Sequence, residues 1–105
     1  NQSAHLQDIA NTLGKEAFDS LLTQFYAEMN QTLVDLEKET SLENVAILSH
    51  KASGSAAVFS ANALREALIS VENAAKSKNW EQTTHAINKL PATWDETKIL
   101  LRKIK

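Results

Sequence analysis

Two glycines and one proline are the only strong breakers in 105 residues, and nowhere do apolar and polar residues alternate strictly enough for a half-buried strand. What recurs instead is an apolar residue every three or four positions, the period of a helix with one buried face. The chain is therefore expected to be all-α. From Lys15 to about Glu39 the buried face carries Phe18, Leu22, Phe25, Met29, Leu33 and Leu36, with Tyr26 off the stripe. Before it, a short amphipathic stretch from about Ser3 to Leu13 places Leu6, Ile9, Ala10 and Leu13 on one face. It stops at Gly14, suited to the left-handed position after a helix end.

Thr40 and Glu43 have the spacing of a capping box, so the next helix is expected to start there. Its core stripe is Val45, Ser49, Ala52, Ala56 and Phe59. Ser60 is a candidate N-cap for a following helix that carries Leu64, Leu68, Val71 and Ala75 to about Lys78. Asn79, with Gln82 three residues on, opens the last helix, whose Thr83, Ile87, Leu90, Trp94, Leu101 and Ile104 stay in phase across Pro91. Proline removes the hydrogen bond to the Ile87 carbonyl and disfavours helical geometry at Leu90. The surviving phase favours one kinked helix over two, with Thr93 and Glu96 as the rival restart signal. Long amphipathic helices joined by short turns give an antiparallel four-helix bundle with an additional short N-terminal helix. Residues 1–105 form one domain around one core.

Bulk charge removes several functions. A formal net charge of -2, without a Lys/Arg stripe interleaved with aromatics, offers no field for a phosphate backbone, so no nucleic-acid partner is expected. The chain has no cysteine, hence no thiol nucleophile and no Cys-based zinc site, which fits a reducing compartment. Apolar runs are far shorter than the roughly 20 residues of a membrane span, and no signal-peptide pattern opens the sequence. A cytoplasmic monomer without membrane contact is the expectation. A start at Asn1 rather than Met suits a piece of a longer protein. Patterns for P-loops, dinucleotide-binding turns, hydrolase elbows and helical zinc sites are all missing. No cofactor or metal is expected on this domain.

One residue stands out chemically. His50 lies in the run Ser49-His50-Lys51-Ala52-Ser53-Gly54-Ser55, and at about 100° per residue it points away from the core stripe. Gly54, four residues on, removes the side chain that would most crowd the ring. An exposed glycine inside a helix costs about 1 kcal/mol relative to alanine, which a purely structural helix has no reason to bear. Ala46, Ile47 and Ala57 flank His50 on the outward side and form a small apolar patch. His85, between Glu81 and Lys89, and His5, near the terminus, read as ordinary surface residues. Trp80 and Trp94 read as core or core-edge packing.

His50 followed by Gly54 and Ser55, then Ala61, Leu64, Leu68 and Glu72, resembles the signature of histidine-containing phosphotransfer domains of bacterial-type phosphorelays. Leu13-Gly14-Lys15-Glu16, with Leu21, Leu22 and Phe25, is similar to the opening of the first long helix in such domains. The likeness spans about Leu13 to Leu101. It implies a four-helix bundle resembling the C-terminal phosphotransfer domain of a hybrid sensor histidine kinase, with His50 as phosphoacceptor through Nε2. The implied partners are response-regulator receiver domains, which would bring the Mg²⁺. The domain would be a phosphotransfer intermediate rather than a stand-alone enzyme.

Such domains usually carry Lys three positions after the His and Gly ten positions after it; here those places hold Ser53 and Ser60. Lys51 cannot replace the missing cation, because one residue after His50 it points about 100° away. Ser53 can still donate a neutral hydrogen bond. The alternative is a docking bundle that binds a receiver or another protein without phosphate exchange.

Overall fold

A computed structural model describes Asp8 and residues 11–103. Four helices account for most of them: α1 (Lys15–Lys38), α2 (Leu42–Val58), α3 (Asn62–Lys76) and α4 (Trp80–Arg102). Three residues join each helix to the next, so successive helices run antiparallel and the molecule is an all-α bundle measuring 42 × 22 × 18 Å. Of the expected N-terminal helix, Asp8 and residues 11–13 are helical, and Ser3, Leu6, Ile9 and Ala10 lie outside the described residues, as do His5 and Ile104. Gly14 follows with φ +86° and ψ 153°, a conformation that side-chain-bearing residues avoid.

The apolar stripes meet in one core. Phe18, Leu22, Phe25, Met29 and Leu36 of α1, Val45, Ala52 and Ala56 of α2, Leu64, Leu68, Val71 and Ala75 of α3, and Ile87, Leu90, Trp94 and Leu101 of α4 are all buried. Leu33 and Tyr26 pack partly buried against them. Helix α4 runs through Pro91 unbroken, so the persisting phase outweighs the lost hydrogen bond to Ile87. Thr93 starts no new helix; its hydroxyl donates to the Lys89 carbonyl at 3.2 Å. Asn79 caps α4 as expected, its Oδ1 accepting from the Gln82 amide at 3.0 Å.

Two helix starts differ from the sequence expectation. Helix α2 is capped by Ser41, whose Oγ accepts from the Asn44 amide at 3.4 Å, and not by Thr40. The carboxylate of Glu39 explains the shift. Its Oε1 accepts from the amides of Thr40 and Ser41 at 3.0 and 3.2 Å, so the turn is already tied one residue earlier. Ser60 caps nothing. It sits at φ +54°, its amide donating to the Ala57 carbonyl at 3.1 Å while Ala61 N–H reaches the Ala56 carbonyl at 2.9 Å. Those paired bonds are a Schellman end to α2, and Ala61 begins α3 without a side-chain cap. Lys78 closes α3 in the same way at φ +58°.

Among the described residues no helix is long and apolar enough to cross a membrane.

Candidate functional site

The inward face of α2 is built from small residues. Ser49, Ala52, Ser53 and Ala56 are buried there, and α3 packs closely along α2. Ser49 loses no hydrogen bond in the core, since its Oγ donates to the Val45 carbonyl at 2.7 Å. On the outward side of the same helix the His50 side chain is 76% exposed. The expected orientation therefore holds.

What the helix phase alone does not disclose is the partner of that imidazole. Glu72 of α3 is nearly buried, and its Oε2 and Oε1 lie 3.1 and 3.3 Å from His50 Nδ1. An ionised carboxylate can only accept. Nδ1 must then carry the proton and donate it to Glu72, which leaves the lone pair on Nε2, the nitrogen on the outer side of the ring. Lys76, one turn further along α3, places Nζ 2.9 Å from the same Oε2. The hydrogen bond from the Lys76 ammonium, with that from His50, lowers the Glu72 carboxyl below its ordinary value against the opposite push of burial. Those contacts favour the ionised form of Glu72, the form that accepts a hydrogen bond from Nδ1–H.

Ser53 is 7% exposed, and its Oγ donates to the His50 carbonyl at 2.7 Å. This corrects the sequence expectation of a hydroxyl free to serve a ligand, because a serine three residues along a helix readily bonds back to the preceding turn. Gly54 is exposed, and a Cβ built on it would meet nothing within 4 Å. No packing demand inside the molecule explains the glycine. Ala57, a turn beyond, is also exposed.

On the other side of His50, Ala46 is half-buried and Ile47 is 60% exposed. Together with Leu42, Ala75, Lys76 and Trp80 they line a largely apolar groove of about 580 Å³. Trp80 is 43% exposed at its edge, whereas Trp94 is 3% exposed in the core. Packing thus accounts for Trp94 and not for Trp80, whose position at the first turn of α4 lifts it out of the stripe. Lys51 lines a different groove with Glu28 and Asp35, and His85 lines another with Ser70, Asn73 and Lys89. Neither lines the groove beside Ile47.

Three features escaped the sequence: the Glu72–His50 contact, Lys76 and Trp80. Glu72 did leave a trace, as a carboxylate inside the apolar phase of Leu68, Val71 and Ala75, where a charge needs a partner. Among the described residues no group of three or more His, Asp or Glu side chains could hold a metal ion. The chain matches no family model, no curated protein and no solved structure.

Proposed function

We propose that this bundle is a phosphocarrier in which His50 accepts a phosphoryl group from the aspartyl phosphate of a receiver domain and passes it to a second receiver. The observation that carries this reading is an imidazole fixed at Nδ1 by the nearly buried Glu72 while three quarters of it faces solvent. A nucleophile for an in-line displacement needs little more than a positioned lone pair.

In the forward step Nε2 bonds to phosphorus as the bond to the aspartyl oxygen breaks, and the electron pair leaves with the aspartate carboxylate. The ring becomes a phosphorylated imidazolium. Its Nδ1–H remains on Glu72, whose negative charge stabilises the new positive one. The reverse step restores the neutral ring, so no proton has to be gained or lost at the site. Mg²⁺ would come with the receiver, where the phosphoryl oxygens are first held. The open surface over Gly54 and the groove beside Ile47 give the partner room to approach the ring.

The test is labelling by a panel of phosphorylated receivers. An acid-labile, alkali-stable adduct is expected on the wild type and none on His50→Gln. Gly54→Leu should fold normally and transfer slowly, because a Cβ there meets nothing within the bundle and the side chain it carries would stand on the surface the partner approaches. Undiminished labelling of His50→Gln would end the assignment.

One observation favours a second reading. The Ser53 hydroxyl is committed to the His50 carbonyl, so position 53 offers a phosphoryl group no donor. A bundle that docks a receiver without exchange would show receiver binding and no adduct on any variant.

A further inference from the structure

We propose that Lys76 is the cation that holds the phosphoryl group on His50, supplied from α3 and not from the helix that carries the histidine. The inference rests on the reading of His50 as a phosphoacceptor. Its starting point is a shared atom: His50 Nδ1 and Lys76 Nζ both end on Oε2 of Glu72, at 3.1 and 2.9 Å. The ammonium can therefore lie no farther from Nδ1 than those two contacts end to end, about 6 Å. Nε2 sits across a five-membered ring from Nδ1, and a phosphoryl group bonded to it extends its oxygens well beyond the ring. A flexible four-carbon stem with its ammonium that near the ring is the cation placed to meet those oxygens.

Of the two lysines that line the groove beside Ile47, Lys76 and Lys78, Lys76 is the one that contacts Glu72. Ser53 is turned onto the His50 carbonyl, and Lys51 lines the groove with Glu28 and Asp35. Lys76 lines the groove that also holds Ala46 and Ile47, the two residues one turn before His50. Its side chain is 63% exposed, so reaching a new acceptor needs no repacking.

Charge explains why the arrangement works. A phosphoryl group brings roughly two negative charges at neutral pH, and a bare Glu72 carboxylate beside it would repel them. An ammonium has three donors. Lys76 can keep one on Glu72 while turning another to a phosphoryl oxygen, and so offsets the carboxylate charge before transfer and part of the phosphoryl charge after it.

Phosphoramidate anion is the probe, because it phosphorylates exposed imidazoles without a cognate receiver: Nε2 bonds to phosphorus as ammonia leaves. Labelling rates and adduct lifetimes at residue 50, resolved from the exposed His85 by peptide mapping, are measured on the full chain for wild type, His50→Gln, Lys76→Met, Lys76→Arg and Lys51→Met. The two Lys76 variants are repeated in a Glu72→Gln background. Lys76→Met is expected to slow labelling roughly tenfold, less than the loss of a donor in a dry oxyanion hole because the site is wet. Lys76→Arg should retain most of the rate, and Lys51→Met should match wild type.

The double variant separates contact from positioning. Where Lys76 touches the phosphoryl group, the Lys76→Met loss persists when Glu72 is Gln. A loss that vanishes in that background makes Lys76 only a support for Glu72 and overturns the proposal. Lys76→Met labelling as fast as wild type overturns it too, with the phosphoacceptor reading intact. Equal labelling of wild type and His50→Gln, or none at all, overturns that reading and this proposal together.

Discussion

The bundle is held by two unlike seams. The buried side chains of α2 are Ser and Ala at four of five positions, and α2 and α3 approach closely along their length. Around α1 the contacts are aromatic and the backbones stand further apart. Phe25 lies 4.7 Å from Phe59 and 5.6 Å from Trp94 between ring centroids, and Tyr26 meets Trp94 edge-on at 5.6 Å. The difference is one of use. Large rings bury the most apolar area per residue and anchor α1 and α4, whereas small residues bring α3 close enough for the short side chain of Glu72 to reach His50 on the next helix. Large buried rings lie at one seam and the His50–Glu72 contact at the other.

Removing a ring from the aromatic seam is expected to have the largest effect. Trp94 is 3% exposed and its Nε1 donates to Asn30 Oδ1 at 2.7 Å, so Trp94→Ala loses buried area and that hydrogen bond. A loss of about 3–5 kcal/mol in chemical denaturation is expected, a large share of the stability of a domain this size. His50 in the remaining folded fraction should label at the wild-type rate. A slowed rate there would mean that the two seams are coupled.

The small-residue seam breaks in the opposite manner, by addition. Ala56 is fully buried on α2, and Ala56→Leu forces extra methylenes into a closely packed site at a cost of about 1–3 kcal/mol. The smaller stability loss should come with a disproportionate local one, because pushing α3 outward lengthens the His50–Glu72 contact. Imidazole nitrogen shifts report it: His50 should lose its fixed Nδ1–H tautomer in Ala56→Leu and keep it in Trp94→Ala. A stable Ala56→Leu protein with an unchanged ring would show that close approach does not set the contact.

Much of this was legible in the chain because helical phase is a local property. The stripes from Phe18 to Leu36 and from Thr83 to Leu101 need only the 3.6-residue repeat, and the exposure of His50 follows from being out of step with Val45, Ser49 and Ala52. Contacts across helices are not local. The meeting of His50 with Glu72, 22 residues away, depends on how deeply α2 and α3 interlock, and the Lys76 contact depends on that in turn. Helix starts failed for a third reason. Thr40, Ser41 and Ser60 all have capping chemistry, and which one serves is decided by neighbours such as Glu39 that a spacing rule does not weigh.

Ser60 gives the smallest effect and the clearest contrast with Gly54. At the corner between α2 and α3, Ser60 holds φ +54°, where a Cβ crowds the backbone and glycine is favoured. At Gly54 the backbone is helical and a Cβ would meet nothing. Of these two positions, glycine is thus absent where the conformation asks for it and present where nothing inside the bundle requires it. Ser60→Gly removes the left-handed strain, about 1–2 kcal/mol, and gives back part of it through the freer unfolded chain, about 0.4–1 kcal/mol. A net gain of roughly 0.5–1 kcal/mol should raise the melting temperature by about 3–6 °C, with His50 labelling unchanged. The sign is the informative part. A destabilised Ser60→Gly would mean that the hydroxyl, beside Thr97 and Leu101 at the end of the bundle, holds the corner by a contact stronger than the strain, and the closeness of α2 and α3 would then owe as much to their corner as to the small residues between them.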